Sequence, residues 1–170
     1  MKHGIAYTVG DGQISPGRTF VRSEQAERAV ELFSKSYNCA QSVYAASAIG
    51  ELSEAQRLTL AAPFGGGIAR QGEVCGALTG ALLALAEANG KAMAADPVAA
   101  RAALYARAKQ LTEAFRESHG SIICRELTGC ALDTEAGQRV FNERGLHQNL
   151  CTGLVVFAAE QAASIATASA

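Results

Sequence analysis

Apolar residues recur every three or four positions along most of the chain from Ser23 onward, the spacing of amphipathic helices rather than of half-buried strands. Ala26, Ala29, Val30 and Phe33 mark a first helix over about Ser23 to Ser36. Asn38 is placed to cap a second, with Cys39, Val43 and Ala46 along one face and Gly50 as its stop. Ser53 opens a third helix that runs to about Ala61, where Pro63 and the glycines after it end the pattern. A fourth spans about Val74 to Ala88, closed by Asn89-Gly90. Asp96-Pro97, a cap followed by proline at the first helical position, starts a fifth that reaches about Ser118, before His119-Gly120. Ser121 is read as the cap of a short helix holding Cys124, Thr134 as that of another ending at Gly145, and Asn149 as that of a last helix through about Ile165.

No segment alternates apolar and polar residues around a hairpin turn. The fold class is therefore all-α, a compact helical bundle of about six to eight helices with short connections. Residues 1–22, rich in glycine and without helical period, read as an irregular N-terminal arm. Residues 23–165 form a single helical domain that contains every cysteine, and 166–170 a frayed tail.

Charge narrows the partners. Fifteen basic against sixteen acidic side chains, with no basic stripe interleaved with aromatics, argue against nucleic acid. The apolar runs CGALTGALLALA and CTGLVVFAAEQAASIATASA are respectively too short to span a membrane and interrupted by Glu160 and Gln161, so no membrane partner is expected. The opening residues MKHGIAYTVGDGQISPG carry no apolar segment followed by a small-residue cleavage site, which makes the cytoplasm the expected compartment. In 170 residues the core is large enough to fold without staples, so five cysteines in a reducing compartment point to redox or metal chemistry rather than to structural disulfides.

Four of the five fall at predicted helix starts. Cys39 follows Asn38, Cys75 opens the fourth helix after the glycine loop FGGGIARQG, Cys124 lies three residues after Ser121, and Cys151 two after Asn149. They sit on apolar stripes: Cys75 with Leu78, Leu82 and Leu85, Cys151 with Leu154, Val155 and Ala158, Cys39 with Val43 and Ala46. Unpaired N–H groups and a partial positive charge at a helix N-terminus favour thiolate, the form that attacks or ligates. Cys130, after Gly129 in a loop, is ancillary. The glycines ahead of Cys75 let the backbone turn and approach closely, and Gly76 and Gly80 permit close helix packing.

Other motifs exclude more than they assign. In FGGGIARQG, Arg70 stands where a dinucleotide loop needs its third glycine, and no strand precedes it. His119 and His147 read as solvated helix-end residues, and His3 lies in the arm. Without CxxCH there is no support for covalent haem, and without CxxC none for a thioredoxin-like dithiol.

NCAQSVYAA around Cys39, FGGGIARQGEVCGALTGALLAL around Cys75, CRELTG at Cys124 and the late Cys151 together resemble the C-GCAxxG-C-C family, described as redox-active and related to part of split-Soret cytochromes. The resemblance covers about Ala26 to Ala159 and implies that the family's cysteines fall on Cys39, Cys75, Cys124 and Cys151, with Cys130 an addition. Glycine and cysteine are transposed here relative to the family's literal name, as Cys75-Gly76-Ala77 followed by Gly80.

The leading expectation is an electron-transfer protein or oxidoreductase whose cofactor, an iron–sulfur centre or another thiophilic metal, is held by Cys39, Cys75, Cys124 and Cys151, with Cys130 a further candidate ligand. Two alternatives satisfy the same residues. One is a metal-free thiol oxidoreductase in which Cys75 is the catalytic nucleophile and a neighbouring cysteine resolves it; the other is a non-catalytic helical module with inert buried thiols. The partners in view are a redox protein, a small-molecule oxidant, or a second copy in a homodimer.

Overall fold

Ser23, Asn38, Ser53, Asp96 and Thr134 each accept a backbone N–H from the first turn of the helix they precede. Five helix starts are thus made by the residue types that compete best for those orphan donors. Asn38 and Ser53 complete capping boxes, with Gln41 and Gln56 accepting in return from the cap N–H groups. The computed structural model describes residues 22–167, so the N-terminal arm, apart from its last residue, and the final three residues of the tail lie outside it.

The described residues contain nine α-helices: α1 (Glu24–Ser34), α2 (Cys39–Ser47), α3 (Glu54–Ala61), α4 (Gly76–Ala88), α5 (Gly90–Ala95), α6 (Pro97–His119), α7 (Cys124–Thr128), α8 (Glu135–Glu143) and α9 (Thr152–Thr167). A 3-10 turn, Ala62–Phe64, follows α3, and a π-helical turn, His147–Cys151, runs into α9. The all-α expectation holds. Among the described residues, extended pairing is limited to one antiparallel bridge, Val74 with Ile123.

Two of the boundaries that differ from the sequence reading lie at asparagines. Asn89-Gly90 does not end the helical path but starts the six-residue α5, since Asn89 is buried and anchored: its Nδ2 donates to the Ala100 carbonyl at 3.1 Å and its Oδ1 accepts from Arg107 at 2.8 Å. Asn149 is not the cap of the last helix. Gly145 adopts a left-handed φ of 59° and ends α8, the chain re-enters helical geometry at once, and Asn149 donates from Nδ2 to the Arg144 carbonyl at 3.1 Å.

The core is built from α1, α2, α4, α6 and α9. Leu78 and Leu85 of α4, Leu111 and Phe115 of α6, and Val155, Ala158 and Ala159 of α9 are closed off from solvent, and α4 runs between α2 and α9. Truncating a leucine there to alanine costs about 2–5 kcal/mol. The segment His147–Ala166 is long and apolar enough to cross a membrane by length and composition; here it packs along α4, α1 and α2. Glycine sets the α2–α4 distance: a Cβ on Gly80 would lie 2.5 Å from the Ala40 carbonyl oxygen. Arg57 of α3 and Glu87 of α4 pair at 2.9 Å on the other side, with side chains 13% and 9% exposed.

Candidate functional site

Cys39 is the first residue of α2, and the capping box holds it there. Asn38 also donates from Nδ2 to the Ala62 carbonyl at 2.9 Å, which ties the start of α2 to the turn after α3. Cys75 is the N-cap residue of α4 rather than a first-turn residue, and its side chain makes no cap bond. Cys124 opens α7 without the cap expected from Ser121, whose Oγ instead accepts from the Ile123 N–H at 3.0 Å and bonds to Glu126. Cys151 closes the π-turn ahead of α9, so the helix-start argument made for it from Asn149 does not apply.

The glycine loop connects two of these elements. The Cys75 N–H donates to the Ile122 carbonyl at 2.8 Å, the Cys124 N–H to Glu73 at 2.7 Å, and the Arg125 N–H to Gly72 at 3.0 Å. This short ladder fastens the start of α4 beside the start of α7. It needs glycine at Gly67, where a Cβ would fall 2.6 Å from the Glu73 backbone and 2.8 Å from the Cys124 Cβ. Between them the chain coils left-handed: Gly66, Gly67, Ile68, Ala69 and Arg70 have φ of 65°, 69°, 57°, 51° and 67°. Three consecutive non-glycine residues in that region are held by cross-loop bonds, Ala69 N–H to Pro63 at 2.8 Å and Arg70 N–H to Gly65 at 3.1 Å among them.

Cys39, Cys75, Cys124 and Cys151 all line one cavity of about 470 Å³. Cys75 and Cys124 are buried; Cys39 and Cys151 keep part of their surface open. Cys130 is buried but lies off the cavity wall, packed with Leu132 and Leu146 against Cys124, and its sulfur donates to the Thr128 carbonyl at 3.4 Å. All five cysteines are free thiols.

The electrostatics run against the helix-dipole expectation. Burial pushes the Cys75 thiol well up, the neighbouring charges of Cys39 and Cys124 push it further, and backbone N–H groups of Ala77 and Leu78 oppose this without prevailing. Cys124 and Cys151 are each pushed up to about 12, first by burial and then by the other cysteines. Burial also raises Cys39, although the backbone N–H groups of Gly66, Ala40, Cys39 itself and Ala77 pull the other way and favour the thiolate. Cys39 is the common neighbour, since its charge acts on Cys75, Cys124 and Cys151 alike.

Several cavity residues carried no functional signal in the sequence. His147, expected as solvated, is half-buried and stacks on Phe33 with ring centroids 3.9 Å apart and planes within 10°, and both rings border the cavity. Arg70 reaches across the opening to Gln138 Oε1 at 3.1 Å. The other helix-end histidine, His119, is also half-buried, set edge-on against Phe115 and Phe157 away from the cavity. No pairing signal in a single sequence marks such contacts, which depend on how α1, α8 and the loop meet.

As a donor set the cavity offers four soft sulfurs, the ligands that thiophilic metals and iron–sulfur clusters take. Among the described residues no three His, Cys, Asp or Glu side chains are arranged to hold a single metal ion. The wall fits a thiolate-held group in its chemistry.

Neither a comparison with curated proteins nor one with solved structures finds a match. A family model described as "Putative redox-active protein (C_GCAxxG_C_C)" matches residues 37–165, a span that contains all four cavity cysteines and Cys130. With three-quarters of its length matched, this chain belongs to the C_GCAxxG_C_C family.

Proposed function

We propose that the four-cysteine cavity holds a thiolate-ligated redox centre, an iron–sulfur cluster or another thiophilic metal, and that the protein transfers electrons through it. One observation carries this reading. Four cysteines from four separate elements line the same cavity. Cys39, Cys75, Cys124 and Cys151 would be the ligands, and when bound such a centre supplies one-electron redox chemistry.

The remaining chemistry belongs to the chain. The N–H groups around Cys39 offset negative charge on its sulfur, a lever that raises the potential of a thiolate centre. Phe33, stacked on His147, excludes water from one side. The raised thiols favour this reading over a free Cys75 nucleophile, because a buried thiol held protonated attacks slowly, whereas a metal replaces the proton directly.

Isolation without oxygen, followed by a visible spectrum and iron, sulfide and zinc analysis, tests the proposal. Iron with equimolar acid-labile sulfide is the expected result. Serine at Cys39, Cys75, Cys124 or Cys151 should abolish the centre while circular dichroism stays helical; serine at Cys130 should leave it bound. Protein free of any bound metal from anaerobic cells grown with iron and sulfide would overturn the reading.

A further inference from the structure

The cavity's wall is electrostatically one-sided. Among the described residues that line it, Arg70 is the one permanent cation and no carboxylate faces it. His147, the other basic group on the wall, is held toward its neutral form by burial. Several other arginines are neutralised: Arg28 pairs with Glu31 and Glu54, Arg57 with Glu87, Arg125 with Asp133. Arg70 meets only the neutral amide of Gln138 among the described side-chain bonds.

The backbone beneath Arg70 is shaped to keep it there. Residues Ile68, Ala69 and Arg70 hold left-handed φ values, a conformation strained for a non-glycine residue. Gly66 makes room for the coil, since a Cβ on it would come within 3.0 Å of the Arg70 Cα. Strain of this kind persists where surrounding bonds over-determine it, and it clusters at ligand clamps. The same wall carries the apolar Phe141, Leu132 and Leu154, and the volume of about 470 Å³ is that of a small-molecule site.

We propose that the mouth of the cavity binds a small organic anion, its carboxylate taken by the Arg70 guanidinium and its apolar body seated on Phe141 and Leu132. Arg is suited to this, because its planar fork pairs with a carboxylate through two parallel hydrogen bonds. In naming the chemical class of molecule that reaches the cysteines, this rests on the reading of the cavity as the reactive site. The anion contacts Arg70 whether or not a centre is loaded.

Iodoacetate and iodoacetamide test it as a pair, because they differ chiefly in charge. The full chain, reduced, metal-free and checked for helicity, is alkylated with each, and the rates at Cys39 are read by mass spectrometry. Both reagents need the same thiolate, so their rate ratio isolates the effect of the reagent's charge. Arg70→Gln should lower the iodoacetate-to-iodoacetamide ratio at Cys39 by about threefold, the size of an exposed charge pair, and Arg70→Lys should keep most of it. Arg139→Gln, an exposed α8 charge off the cavity wall, should leave the ratio as it was. An unchanged or higher ratio in Arg70→Gln overturns the proposal, as does an equal fall in Arg139→Gln.

Benzoate and inorganic phosphate, added as competitors, separate an organic anion from any anion. Benzoate should protect Cys39 from iodoacetamide in the unsubstituted chain and not in Arg70→Gln. Phosphate protecting as well as benzoate would overturn the organic-anion assignment. Metal analysis of the anaerobically isolated protein, before metal is removed for alkylation, keeps the two proposals apart: a charge preference without a bound centre refutes the centre alone, and a bound centre without the preference refutes the anion site alone.

Discussion

A Cβ on Gly76 would stand 2.5 Å from the Cys39 sulfur and 2.7 Å from the Phe64 carbonyl oxygen. The glycine after Cys75 is thus the floor on which the Cys39 sulfur rests. Alanine at Gly76 should displace that sulfur and overpack the α2–α4 contact, at a cost of about 1–3 kcal/mol. The expected outcome is a helical protein with a lowered melting temperature that no longer retains iron under conditions where the unsubstituted chain does. Paired metal analysis and thermal melts check this.

The thiols impose a pH dependence on the reduced, metal-free chain. Folded Cys124 and Cys151 sit at about 12, against 9.0 for an ordinary thiol. Below pH 9 both states are protonated and stability is at its full value; above it the unfolded chain loses protons that the folded one keeps. Stability should therefore fall as pH rises from about 9 toward 12, by at most about 1.4 kcal/mol per pH unit for each thiol. Urea midpoints taken from about pH 8 to about pH 10 should show the decline, and Cys124→Ser should flatten it.

Glu87 sets the acid limit. Its carboxylate accepts from Arg57 and from the Leu52 N–H at 3.1 Å, and the Arg57 bond, first among the causes, holds it below the ordinary carboxylate value of 4.5. The stability it contributes is present above pH 4.5 and is lost as pH falls through the depressed folded value. Glu87→Ala leaves Arg57 with a half-buried charge and should cost about 3–5 kcal/mol at neutral pH. The same variant should lose less than the parent chain on acidification, which acid titrations of ellipticity would register.

Ala69 offers a gain instead. It is exposed and left-handed, with φ of 51°, so glycine there removes a steric penalty while loosening the unfolded chain slightly. Ala69→Gly should raise stability by about 0.5–1 kcal/mol. A destabilised variant in chemical denaturation would show that the loop's bonds carry no strain.

Much of this was legible in the sequence because it is local. Asn38, Ser53, Asp96 and Thr134 announce their helices through side-chain chemistry that acts within one turn. Cys39 could be named for the same reason, from its Asn38 cap and apolar stripe, whereas the caps expected for Cys124 and Cys151 are not the ones found. What could not be read is set by tertiary contact. The direction of the thiol shifts depends on desolvation, which outweighs the helix N-terminus at Cys75. The left-handed run from Ile68 to Arg70 has glycine signals only before it, and the π-turn at Cys151 replaces a cap that Asn149 spends on Arg144 instead. Arg70, His147 and Phe33 gain their place only when α1, α8 and the loop come together.

The ladder that joins Cys75 to Ile122 and Cys124 to Glu73 links segments far apart in the chain, and the remaining two cysteines come from α2 and from the turn before α9. A site assembled this way is complete only when the last of these segments docks. A nascent chain halted before His147 would carry three of the four sulfurs yet lack both the fourth and the helix that packs along α4, α1 and α2. Long-range closure of this kind forms after the local helices, so the cavity wall is complete only once the segment from His147 onward has docked.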